Sequence, residues 1–248
     1  MPRFSLPAEP YLHSPEKKTF YNAALFREVA PRYAFATRAL SLFQESRWKR
    51  DLVNGFLKFG KTDSPHLTCL DLACGTGDIA FLLSGHFPKA SVTGADLSPE
   101  MLAFAKRNAK AGAITWMVKD MNQLDFPPHS LDLVTGGYAL RNAPDLDALI
   151  QSLARIMKPG AVAGFLDFSR GGNRFFDRLE YWILKIWGGF WGILLHGNPK
   201  IYTYIAESLR AYPDRHSLIR LFEKKGFVFL SEKRFFFGIT ANTYFKKN

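Results

Sequence analysis

Residues 70–78, Leu70-Asp71-Leu72-Ala73-Cys74-Gly75-Thr76-Gly77-Asp78, constrain this chain more than any other stretch. They read as a buried strand that stops in a tight turn and opens a helix. Gly75 and Gly77 carry no Cβ, so the backbone there can turn left-handed and come close to a bound group. The helix after the turn presents free N–H groups at its N-terminus. Asp71 adds a carboxylate at the end of the strand. A second apolar run, Ser91-Val92-Thr93-Gly94-Ala95, ends in Asp96, twenty-one residues after Gly75. An acid at that distance, at the tip of the next strand, suits a ribose diol.

An adenosine-bearing ligand is therefore implied. The turn Gly75-Thr76-Gly77-Asp78-Ile79-Ala80 satisfies the dinucleotide pattern G-x-G-x-x-G/A, and so does a tight strand-to-helix turn with no ligand. Asp71 argues against a dinucleotide. A pyrophosphate at the helix N-terminus would lie near its carboxylate, and like charges in a partly dry site repel strongly. S-adenosylmethionine has no phosphate. Its sulfonium and ammonium are both favoured by a nearby carboxylate.

The 248 residues suffice for one α/β domain with a full core, and 47% hydrophobic residues is ordinary for a globular chain. The N-terminus lacks the apolar region of a signal peptide. Cys69 and Cys74, the only cysteines, would lie roughly 16 Å apart if extended, too far for a disulfide. A reducing, cytoplasmic compartment is expected. The histidines show no metal-ligand spacing, so no metal site is expected. Charge is uneven. Residues 1–50 hold nine Lys/Arg against four Asp/Glu, residues 210–248 nine against three, and the middle is balanced. The basic ends fit a solvated surface, an anionic membrane or nucleic acid.

Residues 15–57 read as helical, with Phe35, Ala39, Leu42 and Phe43 at helical spacing. A linker is expected at 61–66. Strands are expected at 68–72, 91–96, 114–118, 131–136 and 161–168, and helices at 77–84, 99–111 and 145–157. Ser98 and Pro99 suit an N-cap and first turn, and Lys158-Pro159-Gly160 should stop a helix and turn the chain. This alternation implies a parallel sheet with right-handed crossovers. Helical stretches follow at 173–187, 199–209 and 214–225, then strands at 227–233 and 235–244.

The segments Asp71–Gly77 and Gly94–Leu102 resemble motifs I and II of class I S-adenosylmethionine-dependent methyltransferases. Three later stretches narrow the match: Tyr138-Ala139-Leu140-Arg141-Asn142, Leu166-Asp167-Phe168-Ser169 and Tyr204–Pro213. Together with Phe26–Tyr33 and Arg47-Trp48-Lys49-Arg50, they resemble the ubiquinone/menaquinone biosynthesis C-methyltransferases, from about residue 20 to the end. The resemblance implies an α/β, Rossmann-like class I methyltransferase fold. Its sheet would be mostly parallel and seven-stranded, with helices on both faces and the last strand antiparallel. It further implies an N-terminal helical extension at 1–60, a methyltransferase domain at 61–248 and a helical cap at about 171–212.

On that reading S-adenosylmethionine is the cofactor, held by Asp71, Gly75, Thr76, Gly77 and Asp96. Asp120 would face the adenine amino group, and Leu97 and Met121 its two faces. Ligands of open α/β sheets lie beyond the carboxyl ends of the strands, which places Tyr138, Arg141 and Asn142 where a methyl acceptor approaches. A hydroquinone becomes nucleophilic at carbon once a phenolic proton is lost. Arg141 stays protonated and is assigned to holding the phenolate. Asn142 could hold a relaying water. Asp167 and Glu207 are both candidates for the proton acceptor, and the sequence ranks neither first; Glu207 could instead pair with Arg210.

The expected acceptor is a prenylated demethylquinol, demethylmenaquinol or a related naphthoquinol, with another small aromatic of specialised metabolism as the alternative. An RNA methyltransferase is suggested only by the basic ends, and no RNA-binding motif accompanies them. A dinucleotide oxidoreductase is disfavoured by Asp71. Two departures bear on the acceptor: Ala34 follows Tyr33 where the family usually has Asp, and the cap is unusually rich in aromatics and glycine. Residues 181–195, with three tryptophans, three glycines and one charge, are too short to span a bilayer, and the glycines argue against a straight helix. They suit either a buried cap or a peripheral contact with anionic membrane. A second copy of the chain, as a homodimer, is the remaining partner this reading allows.

Overall fold

The computed structural model describes residue 4 and residues 6–59, 66–109 and 114–248. In chain order the elements are α1 (Pro15–Val29), α2 (Tyr33–Leu40), α3 (Glu45–Phe59), β1 (Thr68–Leu72), α4 (Asp78–His86), β2 (Ser91–Asp96), α5 (Pro99–Asn108), β3 (Ile114–Val118), β4 (Leu131–Gly137), α6 (Ala139–Asn142) and α7 (Leu146–Ile156). There follow β5 (Met157–Phe168), α8 (Arg174–His196), α9 (Lys200–Ala211), α10 (Arg215–Lys224), β6 (Phe227–Phe235) and β7 (Thr240–Lys247). The strands form one sheet in the order β3-β2-β1-β4-β5-β7-β6. Strands β1 to β5 pair in parallel, and β7 runs antiparallel between β5 and β6. The fold is the expected Rossmann-like α/β arrangement.

Alternation along β1 sorts its side chains. Leu70 and Leu72 join the core under α7 and α10, whereas Cys69 joins the core under α3 and α4. Asp71 shares the face of Cys69 and so meets the start of α4.

The helical reading of 15–57 resolves into three helices. Pro31 sits in a 3-10 turn after α1, and Leu42 and Phe43 take φ of 49° and 61°, which ends α2. Ser98 caps α5 by accepting from Met101 N at 3.2 Å. The tail of the expected helix at 99–111 and the linker at 61–65 fall outside the described residues. Lys158-Pro159-Gly160 does end α7, but the chain continues as β5 rather than turning. The pairing jumps from Leu131–Met157 to Leu133–Val162, so residues 158–161 of β5 form a bulge opposite β4.

The largest difference is α8. Its 23 residues run through all three glycines of 181–195. Those glycines mark close packing rather than a break: a Cβ on Gly188 would lie 2.6 Å from Tyr202 O, and one on Gly192 2.6 Å from Asn198 O. Gly188 and Gly192 are one helical turn apart, on the face that docks on α9. Tyr181 donates to Glu207 Oε1 at 2.8 Å across the same hairpin. Among the described residues no helix is long and apolar enough to cross a membrane.

Candidate active site

Two adjoining spaces lie beyond the carboxyl ends of β1, β2, β4 and β5. The first is a cleft lined by Ala73, Gly75, Asp96, Leu97, Asp120 and Met121, with Phe26 and Tyr33 against it from the N-terminal helices. Gly75 (φ 55°) and Gly77 (φ 86°) carry the left-handed turn into α4. Trp116 of β3 lies over Gly77 and Gly94, where a Cβ would come within 2.5 and 2.6 Å of the indole. Asp96 accepts from Gly75 N at 2.7 Å and from Ser98 N at 2.8 Å, one to each oxygen. Burial raises its carboxyl above the usual range, against these backbone bonds. Asp120 closes an Asx turn by accepting from Asn122 N at 2.8 Å.

Asp71 sits beneath this cleft and does not line it. It is fully buried and accepts from Ala80 N at 3.0 Å and from Thr135 Oγ1 at 2.8 Å. Burial is the main cause that pushes its carboxyl up to about 7, opposed by the Thr135 bond and by Lys49. The carboxylate thus ties the N-terminus of α4 to β1 and β4. Thr76 is buried and Gly77 lies under Trp116; neither lines the cleft.

The second space is an apolar cavity of about 510 Å³. Its walls come from α1 and α2, from the β4–α6 turn, from the α8–α9 hairpin and from residues 236–240. Tyr138, Arg141 and Asn142 all line it. Tyr138 enters α6 at φ 58°, a costly conformation for a bulky residue. Phe26, Tyr33 and Asn142 belong to both spaces, so these side chains form the partition.

Arg141 is 5% exposed. Its Nη1 donates to Ser208, its Nε lies 4.0 Å from Asp167 Oδ1, and its guanidinium stands over the rings of Phe168 and Tyr204. Its buried Nε has no hydrogen-bond partner among the described residues. Asn142 donates to Tyr138 O at 2.8 Å, and Tyr204 Oη lies 2.9 Å from Asn22 Oδ1 and 3.0 Å from Asn142 Oδ1. Asn22 in turn donates to Asn142 O, and Lys18 Nζ donates to Arg141 O and Ala143 O at 2.9 and 2.7 Å. Burial, helped by the Arg141 charge, lowers Lys18 to about 8. The Arg141-Asn142 turn is therefore clamped by α1 on one side and α9 on the other.

Asp167 lies behind Arg141, away from the cavity. Its oxygens accept from Arg141 N at 3.0 Å and from Phe168 N at 2.8 Å. Burial raises its carboxyl, with the Arg141 charge pulling the other way. Glu207 also stands outside the cavity. It accepts from Tyr181 and from Lys185 (3.0 Å), and Arg210 lies 3.8 Å away.

The ubiE/COQ5 methyltransferase family matches residues 14–247 of this chain. The chain belongs to that family. It is 34% identical to a demethylmenaquinone methyltransferase of Thermus thermophilus, over 82% of this chain and 91% of that one. It is 31% identical to a ubiquinone/menaquinone biosynthesis C-methyltransferase of Desulfotalea psychrophila, over 86% and 85%. An S-adenosylmethionine-dependent methyltransferase of Aquifex aeolicus shares the fold at a TM-score of 0.58 and 15% identity, covering 86% of this chain and 98% of that one.

In this methyltransferase the residues named from sequence divide three ways. Gly75, Asp96, Leu97, Asp120 and Met121 meet at the cleft, and Tyr138, Arg141 and Asn142 meet at the cavity. Asp71, Thr76, Gly77 and Asp167 lie one layer back. Glu207 belongs to the helical hairpin. Sequence reasoning missed Lys18 and Asn22, and named the segments of Phe26, Tyr33, Tyr204 and Ser208 without giving those four residues a role. A signal existed in the spacing of Lys18, Asn22 and Phe26, four residues apart on one helix face, and in Tyr204 and Ser208 at the same interval. Only the partner across each face gives these positions meaning.

Proposed function

We propose that this methyltransferase transfers a methyl group from S-adenosylmethionine to a ring carbon of a prenylated demethylquinol, with demethylmenaquinol or a related naphthoquinol as acceptor. The observation that carries the reading is the junction of the two spaces: a cleft with carboxylates at its strand tips adjoins, across Phe26, Tyr33 and Asn142, a large apolar cavity with one guanidinium in its wall. Asp96 would hold the ribose hydroxyls, Asp120 the adenine amino group, and Leu97 and Met121 its faces. S-adenosylmethionine, when bound, supplies the electrophilic methyl group. The cleft measures about 50 Å³, against roughly 300 Å³ or more for ordinary ligand pockets. Tyr33, whose ring lies 3.6 Å from where a Gly75 Cβ would stand, and Phe26 must therefore swing aside to admit the whole cofactor.

The cavity suits an apolar acceptor with an ionisable ring hydroxyl. Among the described residues no Asp, Glu or His lines it. The tyrosines do not substitute as bases, since burial holds Tyr33 and Tyr138 protonated and raises Tyr204 to about 12. Ionisation is instead assigned to Arg141. A phenol titrates near 10, and a desolvated guanidinium beside it favours the phenolate. The phenolic proton leaves to water held near Asn142. Once the S–CH3 bond has broken and the methyl group is on carbon, the ring C–H proton moves to oxygen and the ring is aromatic again, so one proton is released in all. Asp167 acts through Arg141 by neutralising and aiming it, and Glu207 keeps the α8–α9 hairpin closed. The enzyme would work in the cytoplasm, in peripheral contact with the membrane that holds a prenylated substrate.

Turnover of labelled S-adenosylmethionine against a panel of reduced quinones tests this. Label should appear on a ring carbon of a demethylnaphthoquinol. Efficient methylation of water-soluble aromatics with no turnover of any prenylated quinol would overturn the assignment in favour of a specialised-metabolism enzyme.

A further inference from the structure

Helix α8 leaves one long face without a partner. Phe175, Leu179, Trp182, Ile186, Phe190 and Ile193 recur every three or four residues and are all about half exposed or more, from 49% to 72%. The opposite face holds the glycines packed on α9. Two turns beside α8 extend the apolar surface. Leu42 and Phe43 are 54% and 66% exposed, and Phe237 is fully exposed. Leu42, Phe43, Phe236 and Phe237 also take φ of 49°, 61°, 45° and 55°. Phe236 packs on Trp48, but Leu42, Phe43 and Phe237 are bulky apolar side chains held left-handed and pointed at water, unfavourable on both counts. Such a knuckle persists where something apolar receives it.

Leu42, Ile183 and Phe237 are exposed and yet line the 510 Å³ cavity, so they form its mouth. The apolar surface and the cavity entrance are therefore continuous. A protein partner seated there would shut the entrance, whereas a bilayer would open it to an apolar medium. Charge favours an anionic bilayer. Arg174 and Arg178 are exposed at the first turns of α8, in a recess they share with Arg170, Arg210 and Trp182. The four arginines there outnumber Asp177 and Glu180. Arg170 and Arg210 already pair with Asp177 and Glu207, which leaves Arg174 and Arg178 as the cations facing outward. Cations with tryptophan beside an apolar stripe are the composition of a helix that lies in the headgroup boundary.

We infer that α8 lies flat in the interface of an anionic lipid bilayer, with the Leu42-Phe43 and Phe236-Phe237 knuckles inserted beside it, so that the cavity opens directly into lipid. The surface stands on the exposed face alone; its use as an entrance for a prenyl tail rests on the acceptor proposed above. A tail could then stay in hydrocarbon while the ring enters, and no long apolar chain would cross water.

Sedimentation with phosphatidylglycerol–phosphatidylcholine vesicles, against pure phosphatidylcholine, tests the surface. The wild type should bind the anionic vesicles and weaken with salt. Ile186→Glu and Phe190→Glu should each lower vesicle affinity at least about tenfold, the scale of burying one large apolar side chain. Arg174→Gln and Arg178→Gln should each lower it about fivefold on anionic vesicles only. All four variants should keep S-adenosylhomocysteine affinity and turnover of a short-chain, water-soluble quinol, and lose turnover of a long-chain quinol in vesicles in step with binding. A wild type that ignores anionic vesicles at low salt while methylating the short-chain quinol overturns the surface and leaves the enzymatic assignment standing. A Phe190→Glu variant that dissociates a dimer yet binds vesicles normally assigns the face to a second copy and likewise overturns it. Vesicle binding that needs these residues, in a protein that methylates no quinol, upholds the surface and removes the entrance together with the acceptor.

Discussion

The cleft and the cavity touch through three side chains but are built on opposite plans. Apart from Asn22, Phe26 and Tyr33, the cleft is drawn from residues 73–144, at the tips of adjacent parallel strands. Its carboxylates, Asp96 and Asp120, are held by backbone N–H groups of short turns, with Lys119 and the amides of Asn22 and Asn142 beside them. The cavity draws on residues from Leu25 to Thr240, and its walls are helices from both ends of the chain packed around one turn after β4. A site at strand tips inherits its geometry from the sheet. A site between helices depends on packing across long sequence separations, and is correspondingly free to change shape and specificity. The two regions read from sequence as bearing on the acceptor, Ala34 and the aromatic cap, both fall on the helical side.

If the two regions are separable, substitutions should divide cleanly between rate and cofactor affinity. Arg141→Ala should produce the largest effect, a drop in kcat of about 100-fold or more, the scale of removing one transition-state donor. Cofactor affinity by calorimetry should barely move, and Arg141→Lys should restore part of the rate. A parallel fall in cofactor affinity would mean that the partition at Asn142 couples the two sites. Asp96→Asn should act in reverse, weakening S-adenosylhomocysteine binding by roughly 1–3 kcal/mol, the scale of leaving buried polar groups unpaired. Its kcat at saturating cofactor should stay close to wild type; a large loss there would break the comparison from the other side.

The smallest effect concerns the hairpin. Glu180 of α8 has its carboxyl pushed from 4.5 up to about 8, by burial first and the Asp177 charge second, against Arg170. A raised carboxyl binds its proton more tightly folded than unfolded. Its contribution to stability is therefore full below the unfolded value near 4.5 and declines as pH rises toward about 8. Glu180→Gln should match the wild type at about pH 4 and exceed its Tm by about a few degrees at about pH 9, as followed by thermal unfolding. Cofactor affinity should not respond, because the cleft takes nothing from α8. No pH-dependent gap between the two proteins would show that Glu180 is solvated in solution.

The sequence by itself determined the alternating sheet, the turn at Gly75 and Gly77, and the carboxylate at Asp96. Each depends on chemistry within a few residues: an apolar strand, a left-handed turn and an acid at a strand tip. It also placed Tyr138, Arg141 and Asn142 near one another, since they share one turn at the end of β4. The tertiary structure alone decided which way the other carboxylates face. Asp71 turns to α4 because strand alternation puts it on the face of Cys69, and a shift of one residue would have reversed that. Asp167 points into the backbone of the Arg141 turn, and Glu207 into the hairpin with Tyr181 and Lys185. The glycines of α8 illustrate the same limit. Alone they argue for a break, but opposite α9 they permit close contact, and the whole apolar stripe is thereby turned outward. Whether a side chain reaches a site depends on what packs behind it, and here the packing partners lie up to two hundred residues away along the chain.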